Sequence, residues 1–217
     1  MIIAIDGPAG AGKSTVAKII AQKMGFLYID TGAMYRALTL KVLRQKIDIQ
    51  DKDRIIKAAQ DSNIDLKHNP DGSLKVILDA EDVTREIREP VITKFVSDIA
   101  KIKEVRENML KLQRRLGEQR DSVLDGRDIA TVVFPDADKK FYIDAGFKER
   151  VMRRYKELRG LGQNVTENEV KADLHNRDTI DSTRVFAPLK KADDAVYVDT
   201  TNMTIEEVVN KILSYVR

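Results

Sequence analysis

The chain of 217 residues is 42% hydrophobic and 34% charged, which suits one globular domain of ordinary size with small appended subdomains. Its formal net charge is only +3, so uniformly basic nucleic-acid binding is not indicated, although arginine is concentrated between Arg106 and Arg184. Cysteine is absent, which excludes disulfides and thiolate metal sites and is compatible with a reducing compartment.

Met1 to Ile5 read as a short apolar strand that Asp6 ends. With no basic region before so brief a run, neither a signal peptide nor a membrane span is evident, and a soluble, cytoplasmic protein is expected. Gly7 to Ser14 fits the phosphate-loop pattern G-x-x-x-x-G-K-[ST]. A polyanion needs backbone N–H groups turned inward, and Gly7, Gly10 and Gly12 permit the dihedrals this requires. Lys13 supplies a mobile cation for the outer phosphates and Ser14 a hydroxyl for Mg²⁺. The helix that starts there aims its positive dipole end at the ligand.

Val16, Ile19, Ile20 and Met24 recur at helical spacing, Gly25 stops the helix, and Phe26 to Ile29 read as a second strand. The resulting βαβ unit implies a parallel α/β sheet with ligands beyond the carboxyl ends of its strands, which places Asp30, Thr31 and Gly32 near the loop. A helix is predicted from about Ala33 to Lys46, with Arg36 on its first turn, and another from Asp51 to Ala59. Alternation then replaces helical periodicity: Ile64 to Leu66 and Leu74 to Leu78 flank Asn69-Pro70-Asp71-Gly72 as a hairpin inserted into the βα series, with His68 solvated at its tip.

Pro90 opens a helix whose predicted buried stripe is Val91, Phe95 and Ile99, with Ser97 on another face; a long amphipathic helix follows Arg106 and ends at Gly117. Ser122 to Asp125 form a strand that finishes in a carboxylate suited either to Mg²⁺ or to a loop cap, ahead of Gly126-Arg127-Asp128. Lys140 to Asp144 read as a further strand. From Phe147 a helix carries Arg150, Arg153, Arg154 and Arg159 before Gly160 and Gly162 break it, a pattern like a closing lid in which Arg153 could alternatively pair with Glu157. Thr166 with Glu169 makes a capping box for a helix on which Arg177, Asp181 and Arg184 share one face. Ala195 to Val198 are the last strand, and Thr204 with Glu207 caps a terminal helix.

Phosphoryl transfer needs positive charge on the migrating group and exclusion of water, and the forked guanidinium suits the first need. A phosphate loop alone would equally suit a GTPase, but no N-K-x-D tetrapeptide is present. The loop and the arginines also suit a kinase for another small acceptor, such as UMP, AMP or shikimate, and a nucleotide-binding switch without transferase activity. Nucleic-acid binding is a third possibility, although the arginines lack interleaved aromatics for base stacking.

Four stretches resemble the bacterial cytidylate kinases: Gly7-Pro-Ala-Gly-Ala-Gly-Lys-Ser-Thr15, Asp30-Thr-Gly-Ala-Met-Tyr-Arg36, Asp125-Gly-Arg-Asp-Ile-Ala-Thr-Val-Val-Phe-Pro135 and Arg177-Asp-Thr-Ile-Asp-Ser-Thr-Arg-Val-Phe-Ala-Pro-Leu189. The resemblance implies an α/β fold: a parallel-sheet P-loop kinase core with helices on both faces (about 1–32, 119–148 and 164–217), an inserted NMP-binding subdomain with the hairpin (about 33–118) and a small helical lid (about 149–163). It implies transfer of the γ-phosphoryl of ATP to CMP or dCMP, with Mg²⁺ held by Ser14 and Asp125. ATP would be bound by Gly7, Pro8, Ala9, Gly10, Ala11, Gly12, Lys13, Ser14, Thr15 and Arg153. Ser97, Arg106 and Asp128 would read the cytosine edge, Arg36 and Arg127 would hold the acceptor phosphate beside Thr31, and Arg177, Asp181 and Arg184 would face the acceptor's sugar and phosphate. Lys13, Arg127, Arg154 and Arg184 would gather charge in the transition state. A monomer without nucleic-acid or membrane partners is expected.

Overall fold

A pentapeptide as apolar as the first strand is stable only when covered on both sides, and Ile3, Ala4 and Ile5 are wholly buried in the computed structural model, which describes residues 1–69 and 73–216. In chain order the elements are β1 (Ile2–Asp6), α1 (Lys13–Met24), β2 (Leu27–Asp30), α2 (Thr31–Arg44), α3 (Lys52–Gln60), β3 (Ile64–His68), β4 (Leu74–Leu78), β5 (Glu81–Asp82), α4 (Pro90–Ala100), α5 (Lys103–Gly117), β6 (Ser122–Gly126), β7 (Lys139–Asp144), α6 (Phe147–Gly160), α7 (Glu167–Thr183), β8 (Val196–Asp199) and α8 (Ile205–Val216). A one-turn π-helix, Ile129–Val133, lies between β6 and β7.

Two compact units are present, one made of Met1–Tyr28 with Arg120–Arg217 and the other of Ile29–Gln119. The central sheet has the order β2-β6-β1-β7-β8, and β1 pairs in parallel with both β6 and β7. Central placement makes β1 the strand whose carboxyl end feeds the phosphate loop, with Asp6 opposite Gly126 on one side and Tyr142 on the other. Helix α1 turns Val16, Ala17, Ile20 and Ala21 inward against β6, and α8 buries Val208, Val209, Ile212 and Leu213. A satellite core of Val151, Val170 and Leu174 from α6 and α7 closes on Ala9 of the loop, with Phe147, Tyr155, Leu158 and Val165 packed around it. The capping box expected at Thr166 and Glu169 is formed on α7.

The second unit has its own antiparallel sheet, β3-β4-β5, and helices α2 to α5. Helix α2 begins at Thr31, two residues before the predicted start, because the Asp30 carboxylate accepts from the Ala33 amide at 2.8 Å and caps it. The hairpin expected at Ile64 to Leu78 is formed and gains β5 as a third strand. His68 ends β3, paired with Leu74, instead of standing at the turn; Pro70, Asp71 and Gly72 of the predicted turn lie outside the described residues.

Two further expectations are corrected. The buried stripe of α4 is Ile92, Val96, Ile99 and Ala100, so Ser97 is also buried and Val91 is exposed. With apolar residues at 91, 92, 95 and 96, two stripes one position apart fit the helical period equally well, and packing selects the one that takes Ser97 inward. Arg184 follows α7 as its C-cap residue, so Arg177, Asp181 and Arg184 do not lie on one continuous helical face.

Candidate active site

The geometry of the phosphate loop starts with its first glycine. Gly7 has φ +148°, and a Cβ there would lie 1.9 Å from the Ile143 carbonyl oxygen of β7, so the chain passes too close to the neighbouring strand for any other residue. No side chain caps the start of α1, which leaves its first N–H groups directed at the loop. Lys13 is 5% exposed and its Nζ donates to the Pro8 carbonyl at 2.7 Å. Burial, and next the nearby Arg127 charge, push the Lys13 ammonium well below its usual range. A bound phosphate supplies the counter-charge that burial withholds.

Ser14 Oγ donates to Asp125 Oδ2 at 2.7 Å, and Tyr28 Oη donates to Asp125 Oδ1 at 2.9 Å. Tyr28 therefore fixes the carboxylate that the sequence pairs with Ser14. A hydroxyl and a carboxylate at this distance are a hard oxygen donor set that fits Mg²⁺. Among the described residues no group of three or more His, Cys, Asp or Glu side chains converges on an ion site. A cation at Ser14 and Asp125 would thus draw its remaining ligands from water and nucleotide phosphates, as Mg²⁺ commonly does.

Beyond β6 lies a buried charge network. Arg127 Nε donates to Asp181 Oδ2 at 2.9 Å, Arg184 Nη1 to Asp181 Oδ1 at 3.4 Å and Arg184 Nε to the Ala187 carbonyl at 2.6 Å, while Arg184 Nη2 stands 3.7 Å from Asp128 Oδ1. Asp128, Asp181 and Arg184 are each at most 8% exposed. Burial works against the charges of Arg127 and Asp181, but their mutual attraction outweighs it: the Arg127 pKa is raised and the Asp181 carboxyl is held below the usual carboxylate range. Arg177 contacts Asp173 at 3.9 Å, and its buried Nε has no hydrogen-bond partner among the described residues.

The arginines of α6 divide by role. Arg150 is a brace: Nε donates to Ala145 O at 3.0 Å, and Nη1 to Ala9 O at 3.0 Å and Asp178 Oδ2 at 2.6 Å. Arg153 pairs with Glu149 at 2.8 Å, not with Glu157, and its other nitrogens donate to Thr200 Oγ1 at 3.0 Å and Thr200 O at 2.6 Å. Arg154 takes Glu157, at 2.9 Å, and keeps a buried Nε without a hydrogen-bond partner among the described residues. Arg159 donates at 3.2 Å to Asn164 in an exposed position.

Within the second unit, Arg36 Nη1 donates to Thr93 Oγ1 at 2.9 Å, which links α2 to the α4 turn that precedes Ser97. Arg106 is buried in α5, donates to the Ala100 carbonyl at 3.1 Å and lies 5.2 Å over the Tyr35 ring. Thr31 and Ser97 are buried as well.

Sequence reasoning missed Tyr28, Thr93, Thr200 and the bracing use of Arg150, whose partners are far away along the chain. Asp6, noted only for ending an apolar run, is 1% exposed and accepts from the Ile129 and Ala130 amides at 2.9 and 2.8 Å. An ionisable residue at the last position of an otherwise apolar strand was the available signal.

Over residues 3–217 the sequence matches the family model for cytidylate kinase. It is 52% identical over 214 residues to a cytidylate kinase of Clostridioides difficile, covering 99% of this chain and 97% of that one. It is 51% identical over 215 residues to a cytidylate kinase of Caldanaerobacter subterraneus, covering 99% and 94%. Among solved structures, a shikimate kinase from Bacteroides thetaiotaomicron superposes with a TM-score of 0.50 at 13% identity, covering 100% of this chain and 98% of that one, a likeness of fold alone.

Proposed function

The chain belongs to the cytidylate kinase family, and from that premise we propose that it transfers the γ-phosphoryl of ATP to CMP or dCMP, giving CDP or dCDP, as a Mg²⁺-dependent cytoplasmic enzyme. The observation that carries this reading is the buried Arg127–Asp181–Arg184–Asp128 network beyond β6. It offers guanidinium charge for an acceptor phosphate and a carboxylate that can accept from the exocyclic amine of cytosine.

In the proposed division of labour, the loop from Gly7 to Thr15 and Arg153 hold ATP. Ser14 and Asp125 hold Mg²⁺, which when bound neutralises charge on the donor phosphates. Lys13, Arg127, Arg154 and Arg184 gather the charge that spreads over the equatorial oxygens during transfer; the unpartnered Nε of Arg154 supports this role. Arg36 and Arg127 bind the acceptor phosphate with Thr31, Ser97, Arg106 and Asp128 read the base, and Arg177, Asp181 and Arg184 hold the sugar and phosphate. A phosphate monoester is already nucleophilic near neutral pH, so in-line attack needs neither a strong general base nor a covalent enzyme intermediate. The protein acts as a monomer on these two substrates.

An acceptor panel with ATP and Mg²⁺ tests the reading. CMP and dCMP are expected to give diphosphate with higher kcat/KM than UMP, which lacks the amine, and than AMP or shikimate. Preferred turnover of any of the latter would overturn the cytosine assignment, and ATP binding without a phosphorylated product would overturn the transferase reading.

A further inference from the structure

An aspartate at the N-cap of a helical turn ordinarily folds its own carboxylate back onto the second or third amide of that turn. Asp128 stands at that position before the π-helix Ile129–Val133, yet its side chain makes no capping bond. The first two amides of the turn are taken instead by Asp6: Ile129 N donates to Oδ1 at 2.9 Å and Ala130 N to Oδ2 at 2.8 Å. The cap thus comes from another strand, and the Asp128 carboxylate is turned elsewhere, to 3.7 Å from Arg184 Nη2.

We propose that Asp6 is a positioning residue for acceptor recognition: by capping the π-helix in place of Asp128, it keeps the Asp128 side chain out of the cap and aimed at the acceptor base. The inference rests on the base-reading role given to Asp128 above. Three features make the arrangement specific. The first N–H groups of a helical turn have no partner within it, so the start of the π-turn needs an external acceptor. The cap is rigid, because Asp6 is held in register between Gly126 of β6 and Tyr142 of β7 at the centre of the sheet. The phosphate loop, although it begins at the next residue, is braced by other groups: Lys13 on Pro8 O, Arg150 on Ala9 O and Thr200 on Ala11 O. Loss of the Asp6 cap therefore falls on the acceptor side, where the Asp128 carboxylate would swing back to satisfy the vacated amides.

The test is a double-mutant cycle in the full-length enzyme at pH 8, with KM measured for CMP and ATP and with melting temperatures recorded. Asp6→Asn keeps one acceptor oxygen and places an amide donor against the second N–H. It is expected to raise the CMP KM about tenfold or more, the scale of one lost base contact, with the ATP KM within about twofold. Asp128→Ala, costly in the wild type, should add less than about threefold in the Asp6→Asn background, because the two changes disable one device. Additive effects on the CMP KM, an equal rise in both KM values, or a lower melting temperature with no change in CMP KM would each overturn the proposal. Asp6→Glu, which keeps both oxygens on a longer arm, is carried through the same cycle and decides the matter if Asp6→Asn does not fold. Should the wild-type enzyme prefer a different acceptor, the cytosine reading fails, and the cycle run on that acceptor still judges the coupling of Asp6 to Asp128.

Discussion

Lys13 carries a charge that its own surroundings disfavour, since burial pushes its ammonium down, and among the described residues its Nζ donates to the Pro8 carbonyl, at 2.7 Å. Such a group contributes little to folding and much to binding a polyanion. Lys13→Ala is accordingly expected to lower kcat by a factor on the order of 10³ while leaving the melting temperature unchanged or slightly higher. Near-normal kcat in the purified variant would remove Lys13 from the machinery. Asp128→Ala separates the two substrates: the CMP KM should rise at least about tenfold while the ATP KM stays within about twofold, and equal losses in both would refute the base-reading role. At this scale the sequence is legible where a motif fixes spacing, as in Gly7 to Ser14, and the Ser14 hydroxyl donates to Asp125 at 2.7 Å. It is not legible where a choice between near-equivalent partners is settled by packing. Arg153 and Arg154 are adjacent, with Glu149 and Glu157 both within helical reach, and Arg153, whose guanidinium also donates to Thr200, takes Glu149 while Arg154 takes Glu157.

The strand-to-loop junction depends on a close approach of backbones, which distinguishes two glycines of positive φ. At Gly7 an added Cβ meets the Ile143 carbonyl at 1.9 Å, whereas at Gly25, the αL cap of α1 with φ +69°, nothing lies within 4 Å. Gly25→Ala thus bears the conformational cost alone, about 1–2 kcal/mol, while Gly7→Ala must also part β1 from β7 and is expected to cost about 3 kcal/mol or more. Urea midpoints for the two variants check the ranking, and a Gly7→Ala protein as stable as Gly25→Ala would show that the junction yields easily. Elements with a strong period or cap were legible: β1, α1, the hairpin strands and the capping box of α7. The stripe of α4 was displaced because two apolar rows compete there. The π-helix at Ile129–Val133 has no signature of its own, because its cap is Asp6, 123 residues earlier in the chain.

Charge decides how stability of the whole molecule responds to pH, and buried groups contribute to that response whatever the net value of +3. Two buried aspartates pull in opposite directions. Asp181, held below the usual carboxylate range despite burial because Arg127 and Arg184 lie beside it, contributes stability that is present above an unfolded value near 3.8 and is lost as pH falls through its lower folded value. Asp6 is pushed up to about 7, chiefly by burial, which outweighs the two amides that donate to it. Between pH 4 and 7 the folded protein therefore keeps a proton on Asp6 that the unfolded chain has released, so this group makes stability decline as pH rises across the window. Asp6→Asn cannot titrate. The stability of wild type relative to Asp6→Asn is thus expected to be greatest near pH 4.5 and to fall towards pH 7.5, by an amount on the order of a few kcal/mol, since each tenfold gain in proton affinity on folding is worth about 1.4 kcal/mol. Denaturant midpoints of both proteins at several pH values measure this, with Asp181 and the surface carboxylates cancelling in the comparison. A wild-type advantage that grows with pH would mean that the two amides, and not burial, dominate the carboxyl group.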